Sequence, residues 1–268
     1  MGTDQVRTQP AEYDAWRRAR WLDIAGTRGK AKVVGNGQVV GRDPCVIEGV
    51  PGRWSTDAAG ALAVTAVARD GVMVDGATAD GTVVLNDRSR LEFPGGRRGF
   101  ASGSEGAYSL VVFDDAALAE SGITAIDTYR YDPAWVVEGE YRRAPDGRRI
   151  EVERLSNPRS LHQIPSPVDL AVTIGGTEYV LAVLEDSPGR RLVVFTDETN
   201  GAGTPDIGRW LVLPLLASDS PLTVDFNKVT LSYHHVRPAI FHCPLSPPGN
   251  HLPMRIEVGE RAYRYDES

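Results

Sequence analysis

The sequence predicts a mainly β protein built from antiparallel sheets. Short apolar stretches are separated by Gly, Asp and Pro along most of the chain, which is typical of strands joined by tight turns. Several stretches, such as Arg149 to Arg154, alternate apolar and polar residues as half-buried strands do. Almost no helical segment lies between these stretches. Because parallel strands need crossover connections of about a dozen residues or more, we expect the sheets to be antiparallel.

The first predicted element is a short N-terminal helix. From Ala11 to Ile24 the residues Tyr13, Trp16 and Arg20 recur at helical spacing. Gly26 follows this segment and is a typical stop signal. Trp16 and Trp21 are expected to dock the helix against a larger body.

The chain then divides into two β-rich parts. Asp114 to Ser121 predicts a short helix closed by Gly122, and the boundary between the parts is expected between about Asp114 and Tyr131. The expected organisation is an N-terminal helix, a small β-sandwich and an antiparallel barrel-like domain that carries a pocket, over residues 1–30, 31–115 and 131–268. A closed or nearly closed barrel is favoured because closure removes sheet edges and leaves a mouth for a ligand.

The small sandwich is predicted from strands of three to seven residues with turn signals between them, Asp75-Gly76 among them. The rhythm of strand, Asp75-Gly76 and strand resembles the forkhead-associated fold, which binds phosphopeptides. That resemblance implies a serine or arginine loop that holds phosphate, and Arg53-Trp54-Ser55 is the candidate. The alternative is a purely structural sandwich.

Composition limits the classes of partner. The chain has 268 residues, 41% of them hydrophobic and 24% charged, with a formal net charge of −7. We expect no nucleic-acid partner, because phosphate backbones need a concentrated basic surface and the short basic clusters here are scattered. Cys45 and Cys243 suggest neither a disulfide framework nor a zinc site. The absence of a signal-peptide pattern and of a membrane-length apolar run predicts a cytoplasmic protein without a membrane partner; the oligomeric state is left open.

The stretch from Leu222 to Arg261 is the richest in chemistry. Apolar–polar alternation predicts strands near both of its ends, over Leu222 to Phe226 and Met254 to Val258. The intervening residues are rich in histidine and proline and include Cys243. So much rigid, hydrogen-bonding sequence between two strands indicates the lid and wall of a pocket.

This stretch also resembles a known family. The residues that carry the resemblance are Asp225-Phe226-Asn227, Cys243 to Asn250 (CPLSPPGN), Leu252-Pro253 and Gly259-Glu260-Arg261. Earlier matches are Trp16 to Arg20, Tyr131 to Trp135, Thr196 to Gly201 and Gly208 to Leu211. Together they resemble a widespread, uncharacterised prokaryotic family, a domain of unknown function, so the resemblance implies no particular activity. One family run, Pro-Pro-Cys-Ala-Phe, is replaced here by Ser232 to Val236 (SYHHV).

Four residues are candidates for catalysis. His234 and His235 titrate near neutral pH and suit general acid–base work, Tyr233 lies beside them, and Asp225 is a candidate to orient an imidazole. On a strand, the two adjacent histidines would point to opposite faces. With His242 and Cys243 they are also candidate metal ligands, although the spacing matches no recognised site. The remaining alternative is that they are structural histidines.

Four further residues are candidates for substrate binding: Arg209, Trp210, Asn227 and His242. A guanidinium at Arg209 suits a ligand carboxylate, or it pairs internally with Asp225, Glu185 or Glu257. Asp225 and Asn227, separated by one residue, would share a strand face and either orient a substrate or cap a turn.

The leading functional hypothesis is a small-molecule enzyme without a bound cofactor or metal. It would perform acid–base chemistry, such as isomerisation, cyclisation, elimination or hydrolysis, in a pocket of the C-terminal domain. The alternative is a non-catalytic module that binds a small molecule in that domain or presents a recognition surface on the N-terminal sandwich. An enzyme needs a titratable group that faces a cavity, whereas a binder needs shape and lining alone.

Overall fold

The computed structural model describes residues 9–156, 158–187 and 189–266, and it is mainly β with antiparallel sheets and a short N-terminal helix. The helix α1 spans Ala11–Ala25 and a second helix, α2, spans Ala116–Ser121. The chain forms two compact units, one of Leu22–Ile123 and one that joins Met1–Trp21 to Thr124–Ser268. In the part of the chain described, no helix is long and apolar enough to cross a bilayer.

The unit of residues 22–123, hereafter the sandwich, contains ten short strands. In chain order they are β1 Val33–Val40, β2 Cys45–Ile47, β3 Val50–Thr56, β4 Leu62–Ala66, β5 Met73–Val74, β6 Ala77–Thr78, β7 Gly81–Val84, β8 Leu91–Phe93, β9 Arg97–Ser104 and β10 Ala107–Phe113. They form a six-stranded sheet in the order β1-β10-β9-β8-β5-β6 and a four-stranded sheet in the order β2-β3-β4-β7.

Both sheets of the sandwich contribute to one hydrophobic core. Trp54 and Val64 of the smaller sheet and Leu110 and Val112 of the larger are fully enclosed in it. The turn at Asp75-Gly76 joins β5 to β6 with φ of 53° and 83°, the left-handed backbone that a two-residue hairpin turn requires. The expected antiparallel sandwich is therefore present.

The second unit, hereafter the C-terminal unit, contains the remaining strands. They are β11 Ile123–Thr128, β12 Val136–Arg143, β13 Arg149–Arg154, β14 Ser160–Pro165, β15 Val168–Ile174, β16 Thr177–Ser187, β17 Arg190–Asp197, β18 Arg209–Leu213, β19 Pro221–Asp225, β20 His251–Leu252 and β21 Glu260–Tyr265. A seven-stranded sheet follows the order β18-β17-β16-β15-β12-β19, and β20 pairs with β17; β11 pairs with β21 and β13 with β14.

The large sheet curls into a half-barrel around a hydrophobic core. Over the described residues, the outer strands β18 and β19 are not paired with each other. The predicted antiparallel, barrel-like fold class is confirmed as an open half-barrel. The predicted hairpin at Gly175-Gly176 joins β15 to β16, with φ of 58° and 83°. Phe195 and Phe226 meet edge to face inside the core, with ring centroids 6.0 Å apart.

Two local predictions in the C-terminal unit were wrong. Residues Met254 to Val258 lie outside the strands, and the strand of this region is β21, which alternation did not reveal. The strand β19 ends at Asp225, and Phe226–Lys228 form a 3₁₀ turn capped by that aspartate. Tyr233–His235 form a second 3₁₀ turn, capped by Ser232, so strand geometry does not set the directions of the two imidazoles.

Candidate functional site

Arg209, predicted to bind substrate, is fully enclosed in the C-terminal unit. Its Nη2 lies 2.7 Å from Asp197 Oδ2, and the guanidinium also donates to the backbone carbonyls of Ile256, Val258 and Glu260 over 2.7–3.3 Å. Its carboxylate partner is Asp197, which was not among the expected partners. The carbonyls of Ile256 and Val258 belong to the predicted strand at Met254 to Val258. Two backbone carbonyls of that segment therefore accept hydrogen bonds from the Arg209 side chain instead of from a neighbouring strand.

A second buried ion pair joins α1 to β21. Arg20 Nε lies 2.7 Å from Glu260 Oε1, and the two side chains are 8% and 0% exposed. Glu260 also accepts the backbone N–H of Leu231 at 2.7 Å, and Arg20 donates to the Leu231 carbonyl at 3.1 Å. The pair thus fixes the helix, the last strand and the chain before Tyr233 together.

Asn227 and Asp225 form a third clamp. The Asn227 amide accepts from the backbone N–H of Asp132 at 2.8 Å and donates to its carbonyl at 2.9 Å. Asp225 accepts from Asn227 and lies 3.3 Å from Lys228 Nζ. Within the described residues, Asp225 makes no hydrogen bond to either His234 or His235. The geometry supports the turn-capping alternative for this pair.

Tyr233 and Trp210 belong to an aromatic cluster. Their ring centroids lie 5.8 Å apart and edge to face, and Phe241 lies 5.5 Å from Tyr233 on another side. The Arg20 guanidinium carbon sits 5.2 Å from the Tyr233 centroid. Trp210 is 3% exposed. These contacts place both rings in a packed position rather than on an open pocket wall.

The two adjacent histidines are in different surroundings. His234 Nδ1 lies 3.1 Å from the Phe241 carbonyl, and a carbonyl only accepts, so Nδ1 carries a proton. The His235 Nε2 atom is enclosed and has no hydrogen-bond partner among the described residues. Burial lowers the pKa of His235 to about 4, and the neighbouring His234 contributes to that lowering. His235 is therefore a neutral imidazole at pH 7.

The other two candidates of this loop point elsewhere. His242 is exposed, and its backbone carbonyl accepts from Arg154 at 3.0 Å. Cys243 is 5% exposed, and burial raises the pKa of its thiol, which is the state of an unreactive packing cysteine. Over the described ranges, no three His, Cys, Asp or Glu side chains come close enough together to hold a metal ion.

A cleft of about 590 Å³ lies in the sandwich, where the sequence indicated no pocket. The loop between β7 and β8 forms one wall, and the other residues come from the turn after α1 and from β4, β8, β9 and β10. Its charged lining consists of Arg28, Arg88, Arg90, Arg98, Asp87 and Glu92. We call this feature the arginine cleft.

The loop of residues 86–90 is held rigidly at the cleft. Asn86 Oδ1 accepts from the Arg88 backbone N–H at 2.8 Å, and Ser89 Oγ accepts from the Asn86 N–H at 3.1 Å. Asp75, at the turn after β5, accepts from the Ser89 hydroxyl at 3.0 Å and from the Arg90 N–H at 2.8 Å. The backbone that carries Arg88 and Arg90 is thus fixed, while the Arg88 side chain is exposed and that of Arg90 is at the surface of the cleft.

The cationic groups of the arginine cleft are largely unpaired. Arg98 lies 2.5 Å from Asp115, which Lys32 also contacts at 2.9 Å; the hydrogen bond from Lys32 and the two positive charges lower the pKa of Asp115. In the described parts of the chain, Arg28, Arg88 and Arg90 form no ion pair. Arg28 instead lies over the ring of Phe100, with its guanidinium carbon 4.2 Å from the centroid.

The candidate Arg53-Trp54-Ser55 does not form a phosphate loop. These residues lie in the middle of β3, where Trp54 is fully buried in the core. Arg53 is exposed, and its guanidinium lies 3.4 Å from the Pro44 carbonyl. Three of the arginines that do line a cleft, Arg88, Arg90 and Arg98, lie close together in sequence, and the fold brings Arg28 to them.

Comparisons with known proteins identify the family and no activity. No curated protein matches the chain. A solved structure, the uncharacterized protein from gene locus rrnAC0354 of Haloarcula marismortui, is 22% identical over 52% of this chain and 77% of its own, with a TM-score of 0.42. The family model described as "Protein of unknown function (DUF1684)" matches residues 121–261. More than half of the chain lies in that match, and the chain belongs to the DUF1684 family.

Proposed function

We propose that this chain is a ligand-binding protein whose sandwich takes a small anionic molecule in the arginine cleft. The observation that supports this most is the lack of an ion-pair partner, among the described residues, for Arg28, Arg88 and Arg90 around one concave surface. The alternative drawn from the sequence was a binding module with a small-molecule pocket in the C-terminal domain or a recognition surface on the sandwich; the small-molecule pocket proposed here lies in the sandwich instead.

The charge balance of the cleft favours an anion. Four arginines and two carboxylates line it, and the partner of Arg98, Asp115, is shared with Lys32. Five cations and three carboxylates therefore leave a local excess of two positive charges, in a chain whose net charge is −7. Like charges that share a concave surface repel one another, and an anion relieves that repulsion. Guanidinium groups also match the oxygens of phosphate or carboxylate in bidentate fashion.

The size and rigidity of the cleft suit a small molecule. Its volume of about 590 Å³ lies within the range of roughly 300–1,000 Å³ that ligand pockets occupy. Leu62, Leu85 and Leu91 give it a buried apolar floor. Because the hydrogen bonds of the 86–90 loop exist before a ligand arrives, little backbone entropy is lost on binding.

Calorimetric titration with inorganic phosphate at low salt tests the proposal. We expect binding to the parent protein and at least a tenfold loss of affinity in the double variant Arg88→Gln/Arg90→Gln, because charged hydrogen bonds contribute about 1.5–3 kcal/mol each. The control is Arg69→Gln, which removes an exposed arginine of the sandwich away from the cleft and should change affinity less than twofold. No binding of phosphate, sulfate or succinate, or an equal loss in the control, would overturn the proposal.

Acid–base catalysis in the C-terminal unit is the second candidate function. It is favoured by the enclosed Nε2 of the neutral His235, which has no partner among the described residues and has the form of a general base. Arg209 and Asn227, which were predicted to bind substrate, are engaged in internal hydrogen bonds. A catalytic site in this unit would therefore lack both of these groups. If a panel of 4-nitrophenyl esters and lactones reveals turnover, His234→Ala or His235→Ala should lower it by about 10²–10⁴. Parental rates in both variants would reject this candidate.

A further inference from the structure

We propose that the ligand of the arginine cleft is a phosphate monoester attached to a flat aromatic ring. This inference rests on the proposed function, since it names the chemical class of ligand for the same site. It needs two parts of the cleft, one for the dianion and one for the ring, and the structure offers a group of side chains for each.

The phosphate part follows from charge. A phosphate monoester carries a charge of about −1.5 to −2 at pH 7, which matches the local excess of two positive charges. A single carboxylate would neutralise only half of it. A tetrahedral group with several acceptor oxygens can also engage more than one guanidinium at once, whereas a planar carboxylate makes one bidentate pair.

The aromatic part follows from Phe100. This side chain is 41% exposed although it stands on a central strand of its sheet, β9, and it lines the cleft. The Arg28 guanidinium lies over one face of its ring at 4.2 Å. The outer face of that planar guanidinium and the exposed part of the Phe100 ring form a weakly hydrated surface of the kind on which aromatic ligands stack.

The two parts are adjacent. Arg98 and Phe100 are two residues apart on β9, and residues at this spacing project from the same face of a strand. A ligand whose ring rests on Phe100 therefore has its phosphate beside cationic groups. Phe113, which pairs with Arg98 and also lines the cleft, adds aromatic surface on the same face.

The test compares inorganic phosphate, phenyl phosphate and adenosine 5′-monophosphate by calorimetry. Stacking of a ring on an aromatic side chain contributes roughly a tenfold gain or more in affinity, so we expect phenyl phosphate or the nucleotide to bind at least tenfold more tightly than phosphate. Phe100→Leu should remove that gain, so that phenyl phosphate and the nucleotide bind this variant within about threefold of its own affinity for inorganic phosphate. Phe100→Tyr, which keeps the ring, should restore the gain.

The outcomes separate the two proposals. If phosphate binds through Arg88 and Arg90 but the ring adds less than threefold, the aromatic inference fails and the anion site stands. If none of the three compounds binds, the proposed function itself fails. A preference between phenyl phosphate and the nucleotide, when both exceed phosphate, supports the inference and tells whether the ring comes from a simple aryl group or from a nucleobase.

Discussion

Arginine serves different purposes in the two units. In the C-terminal unit the guanidinium of Arg209 is enclosed and its Nη atoms donate to Asp197 and three backbone carbonyls, and Arg20 is paired with Glu260. In the sandwich, Arg28, Arg88 and Arg90 line a cleft and pair with no described carboxylate. The first group is committed to holding the fold, whereas the second remains available to a ligand.

The family match and the proposed ligand site lie in different parts of the chain. The match covers residues 121–261, and the arginine cleft lies in residues 27–113. The motifs that resemble the family supply buried clamps: Arg209 to Asp197, Glu260 to Arg20, and Asn227 to Asp132. Residues that recur in a family motif can thus specify a scaffold, and the search for a ligand then turns to the part of the chain outside the match.

The largest effect is expected from breaking the Arg209 clamp. Asp197→Ala leaves a fully buried guanidinium without its counter-charge, which typically costs about 3–5 kcal/mol. The free energy of unfolding in urea measures this cost. The control is Glu257→Ala, which removes the partner of Arg255 from a pair whose side chains are 45% and 55% exposed; it should cost less than about 1 kcal/mol. Equal effects of the two substitutions would contradict the assignment of Arg209 as a clamp.

An intermediate effect is expected from His235. Burial lowers its pKa from the ordinary value of 6.5 to about 4 in the folded protein. Between these pH values the unfolded chain binds a proton that the folded chain excludes, so stability falls as the pH drops from about 6.5 to 4. After allowance for partial exposure, the loss attributable to His235 is about 2 kcal/mol.

Urea unfolding at several pH values between 4 and 7 measures the His235 effect. His235→Phe keeps a ring in place but cannot titrate. The loss of unfolding free energy between pH 6.5 and pH 4 should therefore be smaller in this variant by about 2 kcal/mol. The exposed His242→Gln serves as the control and should leave the slope as it is. An unchanged slope in His235→Phe would show that this imidazole is not protected from protons in the folded state.

The smallest effect on stability is expected in the arginine cleft. Arg88→Gln/Arg90→Gln removes two charges with no ion-pair partner among the described residues and should change the free energy of unfolding by no more than about 0.5 kcal/mol. A loss of several kcal/mol would mean that these side chains hold the fold as Arg209 does, and the difference between the two units would disappear.

The sequence predicted the elements that local signals define. Alternation and turn residues revealed β13, the hairpin at Gly175-Gly176, the turn at Asp75-Gly76 and the helix α1, because strand periodicity and left-handed turns are properties of neighbouring residues. The segment Met254 to Val258 alternates equally well and yet is no strand. Two of its carbonyls are taken by Arg209, which lies about fifty residues earlier, and no local pattern reports such a contact.

The site was harder to predict for the same reason. Arg28, in the turn after α1, and Arg98, on β9, are seventy residues apart, and only the fold brings them to one cleft. Conversely, Arg209 and Asn227 have the chemistry of ligand-binding groups, but their burial and hydrogen bonds became visible only in three dimensions. Whether a polar side chain is satisfied internally is a tertiary property that residue type and spacing do not encode.

The pairing of Arg20 with Glu260 also has a consequence for synthesis on the ribosome. The C-terminal unit needs both α1 and β21, so it cannot close until 240 further residues have followed Arg20 out of the tunnel. The sandwich is complete at Ile123 and, because domains fold as units in the order of their emergence, it can fold while the rest is still being made. Until β21 has been synthesised, Tyr13 and Trp16 of α1 lack their partners in the C-terminal unit. During that time their exposed rings can bind chaperones or promote aggregation.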